Sequence, residues 1–451
     1  MLYIYESNKN LARTKVNSNL FVMDDSSRPV RRQRAGRQQA DLLSNLSDDL
    51  LVTILSFLPT RIAALTSVLC RRFRHLWKAS PSVHLDLTAD SARVINFENS
   101  RFLAMATRAL LSRQLSDGPV LSLRLDLNNS SLLLPDLPGS FLCSLLIKAR
   151  SLGLLHLTIV SMKNIQPILP TIFSIHSLLS LHLTNVIPSF RVPNVIPPTP
   201  STVCSVVTLT QLQSLSLALK AADSAEFNQL LSQLPSLQHL KLWLIFSGVF
   251  PLSSQTIRKL ELDTIFIHQA ELLALSTPSL EILHLKITQH YQRLPHIEGD
   301  MPFLRKATII LHGLHKGDRF CTGDVVAVAH LLNCVSITQE LNLDIMETQN
   351  GKYPFPVLLE PGKEVPNFPN LKHLDANMYF HKYNFESIIA LLHHSPALES
   401  LKLVHKAPAY WRSKLPRNAA GNNKYIHLTN LHLGQNSKEF MKLVSKKGTH
   451  K

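Results

Sequence analysis

Leucine recurs along most of the chain in the pattern L-x-x-L-x-L. Clear copies begin at Leu152, Leu178, Leu212, Leu237, Ile257, Leu280 and Leu398. Weaker copies begin at Ser82, Val120, Leu304, Thr338, Leu371 and Leu428. Between Leu152 and Leu304 the successive starts are 26, 34, 25, 20, 23 and 24 residues apart. A repeat of this length predicts one structural unit per copy, with connecting segments of variable length.

Each copy predicts a short strand. Because side chains alternate along a strand, the fourth and sixth positions of the pattern should point into a core and the third and fifth should point outwards. Apolar spacing predicts helices between strands at residues 224–235, 268–278 and 384–396, each ending at a proline. Stacked copies can share one core that a single copy cannot form. The predicted fold is therefore an α/β leucine-rich-repeat solenoid, curved like a horseshoe.

Composition narrows the class of protein. Of the 451 residues 45% are hydrophobic, yet no apolar run approaches the roughly 18 residues of a membrane-spanning helix. The opening MLYIYESNKN lacks the apolar centre of a secretory signal, so a cytoplasmic or nuclear location is expected. Residues 185–200 and 350–370 are rich in proline and predict surface loops.

The net charge of +16 is concentrated at the two ends. Residues 1–40 carry +5 and residues 402–451 carry +10, which leaves +1 for residues 41–401. We predict a disordered basic tail at residues 1–40 and a second basic tail at residues 435–451. Binding of nucleic acid by these tails is one hypothesis, and the nearly neutral middle of the chain counts against it.

Outward positions of the repeat pattern carry polar and aromatic side chains. Those expected to bind a target protein are Arg124, His156, His182, Lys241, Trp243, Glu261, His284 and Lys286. His156 and His182 are expected to form a short row, but two imidazoles without a third ligand make a poor metal site. The sequence has no phosphate-binding glycine loop, no GxSxG or HExxH motif and no Cys/His zinc spacing. We therefore expect protein recognition without catalysis, cofactor or metal.

Residues 44–77 form a dense apolar segment ahead of the repeats. The spacing predicts a helix over 48–58, with Ser47 as its N-cap and Pro59 at its end. A second helix is predicted with Thr60 as its cap, and a third is predicted that reaches Trp77. Three such helices bury little apolar surface by themselves. The spacing alone leaves two interpretations open. The apolar side chains of these helices either cover one end of the repeat core or form a surface that binds a partner.

The string LSDDLLVTILSFLPTRIAALTSVLCRRFRHLW, residues 46–77, resembles the F-box of the plant F-box/leucine-rich-repeat proteins. The resemblance implies a three-helix F-box at residues 41–80 followed by repeats at residues 81–434. Residues 385–403 look like a fragment of the FBD domain found at the end of many of these proteins. The chain departs from the F-box pattern at Ser47, where proline is usual, and at Phe73, where tryptophan is usual.

The resemblance also implies a function. An F-box of this family docks on the Skp-type adaptor of a Skp-cullin-F-box (SCF) ubiquitin ligase, and the repeats capture the protein to be ubiquitinated and degraded. The implied adaptor-binding residues are Leu46, Leu50, Ile54, Leu58, Pro59, Val68, Leu69 and Trp77. The chain would then be a non-catalytic substrate-recognition subunit with no membrane partner. The alternative is a leucine-rich-repeat scaffold whose F-box has decayed, as Ser47 could indicate.

Overall fold

The computed structural model describes residues 45–86, 97–127, 139–161, 165–184, 209–220, 224–245, 248–266, 270–289, 296–314, 322–347, 366–378, 382–405 and 425–429. The chain divides into two compact units, Met1–Leu46 and Ser47–Lys451, and the architecture that follows is that of the second. Both predicted tails and the predicted loop at 185–200 lie outside the described residues. So does the predicted loop at 350–370, apart from residues 366–370.

Within these ranges the strands are Ser82–Asp86 (β1), Ser122–Asp126 (β2), His156–Val160 (β3), Ser180–Thr184 (β4), Ser214–Lys220 (β5), His239–Ile245 (β6), Gly248–Ser253 (β7), Lys259–Phe266 (β8), Ala270–Ser276 (β9), Ile282–Gln289 (β10), His296–Asp300 (β11), Lys306–Leu314 (β12), Glu340–Glu347 (β13), His373–Met378 (β14), Ser400–His405 (β15) and Tyr425–Thr429 (β16). The α-helices are Asp48–Ser56 (α1), Thr60–Leu65 (α2), Phe73–Leu76 (α3), Phe97–Ala106 (α4), Gly139–Ser151 (α5), Leu169–Phe173 (α6), Ser224–Ser232 (α7), Thr322–Cys334 (α8) and Lys382–His393 (α9).

Thirteen of the strands form one sheet whose neighbours follow chain order, namely β1 to β6, β8, β10 and β12 to β16. Neighbouring strands are parallel from β1 to β15, and β16 runs antiparallel to β15. The strands β11, β9 and β7 form a second parallel sheet in that order. The protein is thus an α/β structure built on a large, mostly parallel sheet, as the strand pattern predicted.

Two ladders of apolar side chains cross the large sheet on its buried face. The first consists of Val83, Leu123, Leu157, Leu181, Leu215, Leu240, Leu260, Leu283, Ala307, Leu341, Leu374 and Leu401, each at most 2% exposed. The second lies two residues further along each strand and runs from Leu85 to Leu403. Except in the copies predicted at Ser82 and Leu152, these are the predicted fourth and sixth positions of the repeat pattern, so the prediction that they face inwards is confirmed for the other described copies. One hydrophobic cluster joins both ladders.

Two copies of the pattern lie two residues from their predicted register. Strand β3 buries Leu157 and Ile159, so its copy begins at Leu154 and not at Leu152. Helix α5 ends at Ser151, and Gly153 (φ 89°) turns the chain through a left-handed conformation that favours glycine. Leu152 is buried at the end of this helix rather than at the start of a repeat. In the same way β1 buries Val83 and Leu85, which moves the copy predicted at Ser82 back to Ser80.

The last predicted copy, beginning at Leu428, also differs from the repeat pattern. Leu428 lies in β16 and pairs antiparallel with Leu401 of β15, whereas a further repeat would add a parallel strand. The rest of that copy lies outside the described residues.

The predicted helices at 224–235 and 384–396 correspond to α7 and α9. The predicted helix at 268–278 is wrong, because this segment forms β9 at the centre of the second sheet. Leu273 and Leu275 are buried on alternate positions, as a strand requires. The edge strand β7 is covered by a side chain of α7, since the Asn228 amide donates to the carbonyl of Pro251 (2.8 Å) and accepts from the backbone N–H of Ser253 (3.0 Å).

The three N-terminal helices are joined to the sheet through specific contacts. The Thr60 hydroxyl at the start of α2 accepts a hydrogen bond from the backbone N–H of His84 in β1 (2.8 Å). The guanidinium of Arg113, 4% exposed, donates to the carbonyl of Ser80 (2.9 Å). Trp77 packs against the sheet's hydrophobic cluster. The helices α1 to α3 therefore have a defined position against the first strand.

Candidate functional site

Helices α1 and α2 and the turns that follow each of them expose a set of apolar side chains. We call this set the N-terminal apolar surface, and it consists of Leu50 (53% exposed), Ile54 (44%), Phe57 (82%), Ile62 (45%), Leu65 (55%), Val68 (81%) and Leu69 (69%). On the adjacent side of α1, Leu51 (1% exposed) and Leu55 (3%) are buried. The protein's own core therefore uses only one side of this helix, and the other side is accessible to a partner.

The predicted adaptor-binding residues fall into two groups. Leu50, Ile54, Val68 and Leu69 lie on the N-terminal apolar surface, and Pro59 is exposed beside it. Leu46, Leu58 and Trp77 are half-buried, and Trp77 contacts the sheet core. Three exposed members of the surface were missed from the sequence, namely Phe57, Ile62 and Leu65. The helical spacing of apolar residues also includes these three side chains. Spacing alone does not show which apolar side chains of a helix face solvent and which face the core.

Ser47 has a local role that is consistent with its departure from the family pattern. Its hydroxyl accepts a hydrogen bond from the backbone N–H of Leu50 (3.4 Å), which confirms the predicted N-cap. Its φ of −65° is the value that a proline ring imposes. The backbone entering α1 thus already has the conformation of the usual proline. Asp48, next in the chain, forms an ion pair with Arg72 (2.6 Å), which links α1 to the residue before α3.

The exposed side of the large sheet carries the predicted target-binding residues, and we call it the sheet face. Strand register places Arg124, His182, Lys241, Glu261 and His284 in one row across β2 to β10. Trp243 and Lys286 lie in the next row. His156 lies in a third row and aligns with Ser180, whereas His182 aligns with Thr158. The predicted row of His156 and His182 is therefore wrong, because the shift at Leu154 moves His156 by one outward position.

Glu261 is the centre of a charged cluster on the sheet face. Its carboxylate lies 2.7 Å from Nζ of Lys259, 3.1 Å from Nζ of Lys241 and 3.3 Å from Nε2 of His239. Burial by itself raises the pKa of Glu261, but hydrogen bonds and charge from Lys259 and Lys241 outweigh it and lower the pKa to about 2. Glu261 is thus ionised throughout the physiological range and contacts two lysine ammonium groups and the imidazole of His239.

Trp243 lies beside this cluster and provides the aromatic part of the sheet face. Nζ of Lys241 is 5.1 Å from the centroid of its ring, within range of a cation–π contact. In the next strand Asp263 aligns with Trp243 and forms an ion pair with Lys286 (3.0 Å). A half-buried aromatic ring surrounded by fixed charges is typical of protein-recognition surfaces.

Four histidines on the sheet face are held in their neutral form at neutral pH. Burial is the largest cause that lowers the pKa of His84, His182, His239 and His284 below 6.5, and the charge of Lys259 adds to it at His239. At neutral pH they offer hydrogen bonds rather than charge. Among the described residues, no three His, Cys, Asp or Glu side chains are grouped to hold a metal ion. No described helix is long and apolar enough to cross a membrane.

Comparison with known proteins identifies the helical segment. The F-box domain model matches residues 43–85. An F-box/LRR-repeat protein of Arabidopsis thaliana is 40% identical over 101 residues, which are 22% of this chain and 20% of that protein. An F-box protein of the same plant is 29% identical over 241 residues, 51% of this chain and 46% of the relative. An Arabidopsis F-box/FBD/LRR-repeat protein is 28% identical over 376 residues, 81% of this chain and 77% of the relative.

The matches to the first two relatives cover less than half of each relative's length. The F-box match coincides with the residues that form the N-terminal apolar surface. The third relative extends the similarity across most of the large sheet. Together these findings confirm the resemblance of residues 46–77: the chain carries an F-box domain and is similar over most of its length to plant F-box/leucine-rich-repeat proteins.

Proposed function

We propose that this protein is the substrate-recognition subunit of an SCF ubiquitin ligase. The single observation that carries the proposal is the N-terminal apolar surface, because seven exposed apolar side chains lie on helices and turns that the F-box model matches. Exposure of these apolar side chains to water is unfavourable. Burial against a partner would remove this unfavourable contribution to the free energy. In the proposed complex, that partner is the Skp-type adaptor, which connects the chain to the cullin.

The repeats would present the sheet face to the target protein. We propose that they form the curved α/β solenoid expected from the sequence, supported by the strand order and the two buried ladders. Arg124, His156, His182, Lys241, Trp243, Glu261, His284 and Lys286 would contact the target there. The complex would work in the cytoplasm, the nucleus or both.

The chain would contribute to ubiquitin transfer by positioning the target protein. The chain would hold the target close to the conjugating enzyme recruited by the cullin, which raises the effective concentration of the acceptor lysine. The contacts that join Thr60 to His84 and Ser80 to Arg113 support this role, because they fix the F-box helices against β1. No bond-making by the chain itself is required.

The test is a pull-down of the full chain with a purified plant Skp-type adaptor. We expect the wild type to bind and the double variant Leu50→Asp/Ile54→Asp to lose binding. Ile147→Asp is the matched control, because Ile147 is an exposed isoleucine (59%) on helix α5, outside the F-box. Equal binding by wild type and the double variant would show that adaptor capture does not use this surface.

The alternative is a leucine-rich-repeat scaffold with a decayed F-box. Ser47→Pro distinguishes the two, since the φ of −65° at this position accepts proline without a change of backbone. Absence of adaptor binding by the wild type together with binding by Ser47→Pro would favour the scaffold. Binding of nucleic acid by the basic tails, the third hypothesis, would appear as an affinity that falls steeply with salt.

A further inference from the structure

Phe303 is a large aromatic side chain exposed in the turn before β12. It is 66% exposed, whereas Met301 and Leu304 on either side are 3% and 2% exposed. The backbone N–H of Leu304 donates to the carbonyl of Met301 (3.0 Å), so the turn is closed and its two anchors lie in the core. Phe303 projects from this fixed turn and is not needed to fill the core.

Two open concavities meet at Phe303. One has a volume of about 450 Å³ and reaches back to Pro235 and Gln255. The other has a volume of about 550 Å³ and reaches forward to Asn333 and Asn370. Phe303 and Arg305 line both. The concavities therefore form one long depression at the ends where the strands of the large sheet begin, away from the sheet face.

The floor of this depression has a regular backbone. In a row at the strand starts, each residue after the first donates its backbone N–H to the backbone carbonyl of the residue before it in the row, at 2.8 to 2.9 Å. The row is Gln238, Arg258, Glu281, Arg305 and Gln339. Side chains of neighbouring strands are thus held about 4.8 Å apart. We call this row, Gln238, Arg258, Glu281, Arg305 and Gln339 together with Phe303, the Phe303 rim.

Charges on the rim are unequally compensated. Arg258 pairs with Glu281 at 3.2 Å. Arg305 is exposed, and its guanidinium has no ion pair among the described residues. The rim therefore places the guanidinium of Arg305, which forms no ion pair among the described residues, two residues from a solvent-exposed aromatic ring, and Asp300 lines the same forward concavity.

We propose that the Phe303 rim is a second docking surface, which binds an extended peptide segment bearing an acidic residue next to an apolar one. The acidic group would pair with Arg305, and the apolar side chain would pack on Phe303 in either concavity. Asp300 in the forward concavity and Glu281 in the row, the latter partly neutralised by Arg258, would repel a polyanion such as nucleic acid more than a single carboxylate aligned with Arg305. This surface is separate from the F-box helices and from the sheet face, so it does not depend on the adaptor.

The probe is a displayed library of random 12-residue peptides, panned on the full chain and in parallel on a Phe303→Ser/Arg305→Ser variant. We expect peptides enriched on the wild type alone to carry Asp or Glu beside an aromatic or aliphatic residue. Synthetic copies should bind Phe303→Ala and Arg305→Gln at least tenfold more weakly than the wild type. Arg108→Gln, at an exposed arginine outside both the rim and the sheet face, is the matched control and should leave the affinity unchanged, and unaltered thermal midpoints would show that all variants fold.

Charge reversal makes the test specific. Arg305→Glu should reject the selected acidic peptide and bind a copy in which lysine replaces the acidic residue. The proposal is overturned if no peptide is specific to the wild type or if the selected peptides ignore both rim substitutions. It is also overturned if Arg305→Gln instead weakens binding of a single-stranded oligonucleotide, or if Phe303→Ser instead abolishes a concentration-dependent dimer. These outcomes leave the adaptor pull-down unaffected.

Discussion

The hydroxyl of Thr60 accepts a 2.8 Å hydrogen bond from the backbone N–H of His84, 24 residues further along the chain. Thr60 begins α2 in the F-box, and His84 is the central residue of β1 in the large sheet. From the sequence we expected Thr60 to cap its own helix. The structure uses it instead as a tie between the F-box and the first strand, and at 5% exposure it is excluded from solvent.

Thr60→Val should destabilise the protein by roughly 1–3 kcal/mol, because valine has the same shape but leaves the His84 N–H without its acceptor. Chemical denaturation at neutral pH measures the change. Thr60→Ser is the control, since it keeps the hydroxyl and should lower the free energy of unfolding by less than Thr60→Val does. Equal stability of Thr60→Val and wild type would mean that water satisfies the His84 N–H.

Phe57→Ala should weaken adaptor binding about tenfold if the proposed function is correct, since Phe57 is the most exposed member of the N-terminal apolar surface. Its removal should change the free energy of unfolding by less than about 0.5 kcal/mol, because the ring fills no core space. Titration of the labelled adaptor and a melting curve measure the two effects. A large loss of stability with unchanged affinity would contradict the assignment of Phe57 to the adaptor surface.

Glu261→Gln should reduce stability at pH 7 on the order of 1 kcal/mol, a figure limited by the partial exposure of Lys241 and Lys259. The pKa of Glu261 is lowered to about 2 from its ordinary 4.5, so its ionised form is favoured in the folded state. This stabilisation is fully present above about pH 4.5 and is lost as the pH falls towards 2.

Denaturation of wild type and Glu261→Gln between pH 2 and pH 7 tests the sign of this effect. Their free energies of unfolding should differ most at pH 7 and converge in acid. A difference that grows as the pH falls would show that the carboxylate is not stabilised by its lysine neighbours.

Leu240→Asp should unfold the repeats at a cost of more than about 4 kcal/mol, because it introduces a carboxylate at a fully buried position of the first ladder. The adjacent Lys241→Gln should cost no more than about 1 kcal/mol, since Lys241 is on the sheet face. Thermal melts of the two variants compare the two sides of β6. Similar melting temperatures would be incompatible with the strand register.

The sequence by itself determined the buried leucines of most repeat copies and the segment that contains the F-box. Strand side chains alternate with a period of two, so L-x-x-L-x-L specifies an inward pair wherever it forms a strand. The density of apolar residues in 46–77 likewise indicated a surface larger than three helices can bury.

Local apolar spacing is compatible with more than one structure at several positions, and there the tertiary structure decided which one forms. Leu152 and Leu154 both fit the first position of a copy, and the turn at Gly153 selected Leu154. The segment 268–278 has apolar residues compatible with helix or strand, and pairing with β7 and β11 made it β9. The links of Thr60 with His84 and of Glu261 with Lys241 join residues about 20 positions apart, and only the packing of α2 against β1 and the pairing of β6 with β8 bring them together.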